Sequence, residues 1–140
     1  MSAQFETGLN KEEVLLYLTD FSLKYPKEQW WVSYKAALVL YSVFETTNDI
    51  DLYGYDELCK KLIQKGYKHE KAPYDNATRI YVNERLEVFS YQKKKKPVLN
   101  TMYGFQVATL EDIFNHYMIM NRPKDQDTLR RISERRNNIR

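Results

Sequence analysis

Disulfide bonds and long apolar runs are the features that this 140-residue chain most clearly lacks. Its single cysteine, Cys59, excludes an internal disulfide framework and favours a reducing compartment. No apolar run is long enough to cross a membrane, and residues 1–9, read as a short tail, lack the pattern of a signal peptide. Four glycines and four prolines leave little room for linkers. We therefore expect a soluble cytoplasmic protein, with residues 1–140 forming one domain.

The net charge of +3 is too small to indicate a nucleic-acid partner by itself, but the basic residues are unevenly distributed. Residues 122–140 contain seven Lys and Arg against three Asp and Glu. A basic helix of this kind can follow a phosphate backbone or contact an acidic protein. The residues that would bind RNA or a protein partner are Arg130, Arg131, Arg135 and Arg136. A solvated helix end is the alternative interpretation.

Apolar spacing and capping residues predict a mixed α/β (α+β) domain, with helices packed on a small sheet. Asn10 and Glu13 form a capping box that opens the first helix, and Pro26 ends it. The predicted order is helix 11–25, strand 30–33, helix 34–44, strand 49–53, helix 56–65, weak strand 67–71, strands 78–82 and 86–91, extended segment 98–107, helix 109–121 and a last basic helix within 122–140.

Two carboxylates stand two residues apart in the short apolar segment at residues 47–53. On a β-strand, Asp49 and Asp51 would face the same side, while Ile50 and Leu52 would face the core. Two adjacent negative charges favour a cation between them, and Mg²⁺ is commonly held by one or two carboxylates together with substrate phosphates. The other interpretation is a polar strand end with two solvated aspartates.

Residues 32–67 resemble the nucleotidyltransferase superfamily, especially its small bacterial antibiotic-modifying and toxin-type members. The similar segments are Val-Ser at 32–33, Ala-Ala-Leu-Val-Leu-Tyr at 36–41, Thr-Asn-Asp-Ile-Asp-Leu at 47–52 and Leu-Ile-Gln-Lys-Gly-Tyr at 62–67. Downstream, Leu-Glu-Val-Phe at 86–89 is similar to the strand that carries the third carboxylate, which makes Glu87 the candidate. Leu-Glu-Asp at 110–112 and Arg-Pro-Lys-Asp at 122–125 are similar to the C-terminal helices of that superfamily.

The resemblance implies magnesium-dependent transfer of a nucleotide from a nucleoside triphosphate to a hydroxyl. Asp49, Asp51 and Glu87 would be the catalytic residues and the ligands of two Mg²⁺ ions. Ser33, Lys35 and Lys124 would contact the nucleotide. Toxin–antitoxin systems, phages and mobile elements are a possible setting for a protein of this size.

Three departures from the superfamily pattern favour a second hypothesis. Tyr34 and Lys35 stand where a glycine turn would bind triphosphate, and an open glycine turn lets the backbone approach phosphate closely. Glu87 replaces the more usual Asp, and Tyr117 stands where relatives often carry a lysine, with His116 as a weak substitute. The alternative is therefore a catalytically degenerate protein on the same fold, acting as a binding or inhibitory protein.

Overall fold

Seven strands form one mixed sheet in the computed structural model, which describes residues 8–73 and 76–138. The strands are β1 (Trp30–Ser33), β2 (Ile50–Gly54), β3 (His69–Lys71), β4 (Thr78–Tyr81), β5 (Leu86–Ser90), β6 (Leu99–Met102) and β7 (Phe105–Ala108). Their order in the sheet is β3-β4-β5-β2-β1-β7-β6. The β2 strand runs antiparallel to β1 and parallel to β5, and β1 runs parallel to β7. This mixed pairing confirms the predicted fold class.

Five α-helices accompany the sheet within the described residues. They are α1 (Lys11–Lys24), α2 (Tyr34–Leu40), α3 (Asp56–Gln64), α4 (Leu110–Met120) and α5 (Gln126–Asn138), with 3₁₀ turns at Lys27–Gln29 and Pro123–Asp125. The predicted capping box opens α1, since the Asn10 side chain accepts from the Glu13 N–H and Glu13 accepts from the Asn10 N–H. None of the helices described is long and apolar enough to cross a membrane.

The apolar core lies where the central strands meet α2 and α3. Ile50, Leu52 and Val88 are fully buried, as alternation along β2 and β5 requires. A Cβ added at Gly54 would stand 3.0 Å from Val88 and 3.1 Å from Leu58, so glycine allows α3 to pack closely on this face. The opposite face of the same strands carries Asp51 and Glu87 beside the aromatic residues Tyr53 and Phe89.

One predicted helix end is wrong, and the structure adds detail to two other predicted segments. The helix predicted over 34–44 ends at Leu40, and the chain turns at Ser42 with a φ of 65°. The extended segment 98–107 is the β6–β7 hairpin, which turns at Tyr103 and Gly104, both with positive φ. Leu9, assigned to the tail, is buried and bridges Thr47, whereas residues 1–7 of that tail and residues 139–140 of the basic segment lie outside the described residues.

Candidate active site

A cavity of about 470 Å³ brings together five of the residues proposed from the sequence. The three carboxylates of Asp49, Asp51 and Glu87 line it, and so do Lys35 and Lys124. These residues come from the start of β2, from β5, from the start of α2 and from the turn before α5. The cavity thus joins acidic residues with lysines, which is the composition that a metal–nucleotide complex requires.

The register of the sheet explains why the carboxylates converge. Asp51 and Glu87 are direct partners on the parallel strands β2 and β5, and Asp49 precedes Asp51 by two residues. Side chains at these positions share one face of the sheet. Burial, followed by the charges of Glu87 and Asp49, raises the pKa of Asp51 to about 7. This carboxyl is short of positive charge in the protein alone.

Glu87 already has a cationic partner. The Arg79 Nε atom on β4 donates to Glu87 Oε1 at 2.9 Å, and the two side chains are 31% and 14% exposed. Arg79 also lines the cavity and lowers the pKa of Asp51, opposing the effect of the carboxylates. Sequence reasoning did not include Arg79. A signal existed, because pairing of the predicted strands 78–82 and 86–91 as a hairpin brings Arg79 near Glu87.

The start of α2 keeps the backbone conformation of a glycine turn although it carries a tyrosine. Tyr34 has a φ of 52°, in the left-handed region that glycine adopts most readily. Its hydroxyl lies 2.9 Å from the Tyr53 hydroxyl and 3.2 Å from His116 Nδ1. Its ring packs edge-on against Tyr117 at 5.8 Å. The Tyr34 side chain therefore forms part of the cavity wall, and His116 contacts its hydroxyl.

Ser33 does not line the cavity with the other candidates. It is fully buried and pairs with Asp51 in the β1–β2 register. Its hydroxyl has no hydrogen-bond partner among the residues that the structure describes. A buried hydroxyl without a partner costs free energy, so Ser33 leaves an unmet hydrogen bond directly beside the acidic cluster.

Lys35 and Lys124 are held at the cavity by different neighbouring residues. Lys35 Nζ lies 4.5 Å from the centre of the Phe44 ring, and Arg131 of α5 lies 4.6 Å from the same ring. Next to Lys124, buried Asp125 accepts hydrogen bonds from Arg122 at 2.7 and 3.0 Å. This two-bond pair fixes the turn before α5 and so positions Lys124 at the cavity.

The basic face of α5 is partly neutralised within the helix. Arg130 pairs with both Asp127 and Glu134, and Arg131 pairs with Asp127. Arg136 lies over the Phe114 ring at 5.0 Å. Ion pairs within the helix thus engage Arg130 and Arg131, while the net positive charge of the segment is unchanged.

The residues fit one divalent cation better than two. Across residues 8–73 and 76–138, no three Asp, Glu, His or Cys side chains are arranged to hold a metal ion by themselves. Asp49 and Asp51 supply oxygen ligands of the type that Mg²⁺ prefers when phosphates complete its coordination. The raised pKa of Asp51 and the unpartnered Ser33 hydroxyl are consistent with a ligand at this place. Glu87, in contrast, is engaged by Arg79.

Comparison with known proteins gives structural likeness without sequence matches. No protein-family profile matches the chain, and no curated protein matches it by sequence. A solved structure from Thermotoga maritima, provisionally classed as a nucleotidyltransferase, is similar with a TM-score of 0.59 and 16% identity, covering 88% of this chain and 94% of its own. ANT(2″)-Ia, solved in complex with adenylyl-2″-tobramycin, is similar with a TM-score of 0.56 and 12% identity, covering 86% and 87%. The chain therefore has a nucleotidyltransferase-like fold.

Proposed function

We propose that this protein transfers a nucleotide from a nucleoside triphosphate to a hydroxyl acceptor. The observation that carries the proposal is the cavity in which Asp49, Asp51 and Glu87 face Lys35 and Lys124. It lies in a nucleotidyltransferase-like fold, on the face of the sheet opposite the α3-packed core. A degenerate binding protein is not favoured, because all three carboxylates line that one cavity.

Each group in the cavity has a proposed task. Asp49 and Asp51 would hold Mg²⁺ together with the triphosphate, and the ion would neutralise charge on the leaving pyrophosphate. Lys35 and Lys124 place ammonium groups against the phosphates. Ser33 lies beside Asp51 and outside the cavity lining, and its hydroxyl, which lacks a hydrogen-bond partner among the described residues, is a donor for the same anion. Glu87 orients the acceptor hydroxyl.

The proposed reaction balances without a further reagent. The acceptor oxygen forms a new ester bond to the α-phosphorus, and the bond from that phosphorus to the bridging oxygen breaks. Pyrophosphate leaves, and the acceptor proton passes to a carboxylate of the cavity. ANT(2″)-Ia was solved with an adenylylated aminoglycoside, which supports a hydroxyl acceptor for this chain as well.

An RNA or protein partner that binds through Arg130, Arg131, Arg135 and Arg136 stays a separate proposal. Arg135 and Arg136 would make most of the contacts with that partner, since Arg130 and Arg131 form ion pairs with acids of their own helix. Such a partner would also be an acceptor only if it reaches the cavity. Arg131 contacts the same Phe44 ring as the cavity residue Lys35, so a partner bound at Arg131 would lie near the cavity.

The test is transfer of label from α-labelled nucleoside triphosphates, with Mg²⁺, to panels of RNA, protein and aminoglycoside acceptors. We expect label in one acceptor class with wild type and a loss of at least about 100-fold with Asp49→Asn. Asp127→Asn, which removes an acid of α5, is the matched control and should retain activity. Equal transfer by wild type and Asp49→Asn would overturn the proposal.

A further inference from the structure

The Arg79–Glu87 pair is built into the sheet. Arg79 lies opposite Phe89 in the β4–β5 register, and Tyr81 lies opposite Glu87. Because alternate residues share a face, Arg79, Tyr81, Glu87 and Phe89 all project to the side that carries Asp51. The pair therefore results from strand register and not from the chance meeting of two long surface side chains.

Aromatic rings hold the guanidinium in place. The Arg79 Cζ atom lies 5.1 Å from the centre of the Tyr81 ring and 5.7 Å from that of Phe89. Arginine stacks well on such rings and stays charged at every physiological pH. The hydrogen bond to Glu87 raises the pKa of Arg79 further. Arg79 is thus a fixed positive charge at the cavity wall.

The Arg79–Glu87 pair also limits which carboxylates can receive a cation. Arg79 already neutralises Glu87, whereas Asp49 and Asp51 form no ion pair with the described residues, although Lys35 and Lys124 line the same cavity. A second cation bound to Glu87 would lie close to the guanidinium and be repelled by it. It would also have to break the 2.9 Å hydrogen bond and leave Arg79 without a partner in a half-buried position.

We propose that Arg79 takes the place of a second metal ion: the site binds one divalent cation, at Asp49 and Asp51, while Arg79 holds Glu87. This inference rests on the proposed function and refines it. Arg79 is a positioning residue, because it acts through the Glu87 carboxylate. Glu87 then serves as an arginine-anchored carboxylate and not as a metal ligand.

The test counts Mn²⁺ ions in the complex of the full chain with a triphosphate analogue that carries a methylene bridge between the α- and β-phosphorus. Electron paramagnetic resonance distinguishes an isolated Mn²⁺ from two ions that couple at close range. We expect one isolated Mn²⁺ in wild type. Arg79→Gln frees Glu87 and should give a coupled pair, or at least about a tenfold gain in Mn²⁺ affinity. Arg79→Lys, which keeps the charge, should stay close to wild type.

Two further variants keep the result decisive. Glu87→Gln should retain the single Mn²⁺, since Glu87 is not a ligand. This variant tests the inference even if Arg79→Gln does not fold. Arg130→Gln is the matched control, because Arg130 also bonds a carboxylate at 2.9 Å but lies on α5. A coupled pair in wild type, or loss of Mn²⁺ in Glu87→Gln, would overturn the inference and leave nucleotide transfer intact. No Mn²⁺–nucleotide binding in any variant would overturn both.

Discussion

Asp51 and Asp127 both lie near arginines, but the protein raises the pKa of Asp51 and lowers the pKa of Asp127. On α5, hydrogen bonds from Arg130 and Arg131 lower the pKa of Asp127. On β2, burial and the neighbouring carboxylates raise the pKa of Asp51 to about 7, although Arg79 acts against them. An acid that its own helix neutralises stabilises local structure at most weakly. An acid that the fold leaves short of positive charge marks a place for a ligand.

The same difference separates the arginines. Arg130 and Arg131 lie on an exposed helix, where their ion pairs are solvated and screened. Arg79 contacts the rings of Tyr81 and Phe89 and bonds Glu87 of the acidic cluster. The ion pairs on the C-terminal helix are therefore weak and exposed, whereas a single arginine in the sheet shapes the candidate site.

Replacing Asp51 should have the largest effect on stability, because it removes the carboxyl group whose pKa the cavity raises. As pH rises from about 4 to about 7, the unfolded chain loses the Asp51 proton before the folded chain does, so this group lowers the free energy of unfolding. Asp51→Asn removes that loss. We expect the stability of the metal-free variant relative to wild type to rise by about 1 to 3 kcal/mol as the pH increases from about 4 to about 8.

Urea denaturation at several pH values, with a chelator present, measures this gain. Asp127→Asn is the control with the opposite sign. Its pKa is lowered in the folded state, so its contribution is present at neutral pH and lost on acidification. A stability difference between Asp51→Asn and wild type that does not change with pH would contradict the assignment of Asp51 as the unsatisfied acid.

Opening the turn at Tyr34 should have the next largest effect. Tyr34→Gly relieves the left-handed backbone but removes the ring contacts with Tyr117 and the bond to Tyr53, so we expect a net loss of about 1 to 2 kcal/mol in stability. Affinity for a magnesium–nucleotide complex should rise, because the backbone can then approach phosphate. Tyr103→Gly is the matched control, since Tyr103 has a φ of 54° in an exposed hairpin turn.

Both effects of Tyr34→Gly are measured by urea denaturation and by nucleotide titration. Tyr103→Gly should relieve the same backbone strain and leave nucleotide affinity unchanged. Lower nucleotide affinity in a folded Tyr34→Gly protein would show that the tyrosine contacts the nucleotide and does not block it.

Lys35→Met tests the cavity by removing one of its cations. We expect affinity for the magnesium–nucleotide complex to fall about five- to tenfold, because one ammonium–phosphate contact is lost. Lys60→Met is the control, since Lys60 pairs with Asp56 on the exposed side of α3. Fluorescence titration with a labelled nucleotide measures both. Equal affinities for the two variants would remove Lys35 from the site.

Arg130→Ala should have the smallest effect. Arg130 makes exposed ion pairs with Asp127 and Glu134, and such pairs contribute little to stability in solution. Neither the melting temperature nor nucleotide affinity should change measurably in differential scanning fluorimetry with and without nucleotide. A large loss in either would mean that Arg130 takes part in the site.

The shared face of Asp49 and Asp51 can be predicted from the sequence because strand alternation is a local rule. Glu87 was reached only through resemblance, and the β2–β5 register that places it beside Asp51 is a tertiary property. The capping box at Asn10 was likewise local and was correctly predicted.

The rest of the site depends on register and on side-chain direction, which composition and periodicity do not specify. The Arg79–Glu87 pair requires the exact alignment of β4 on β5. The burial of Ser33 and the hydrogen bonding of Tyr34 to His116 depend on how α2 and α4 pack on the sheet. The β6–β7 hairpin was missed because its turn begins with a tyrosine in a left-handed conformation, where a glycine or asparagine is the usual signal.

The most direct test of the unsatisfied acidic cluster is a calorimetric titration of nucleoside triphosphate into the protein with and without Mg²⁺. Wild type and Asp127→Asn should bind the nucleotide only when Mg²⁺ is present. The double variant Asp49→Asn/Asp51→Asn should show no metal-dependent binding. Binding that is unchanged in the double variant, or absent from wild type under all conditions, would contradict a metal–nucleotide site at this cavity.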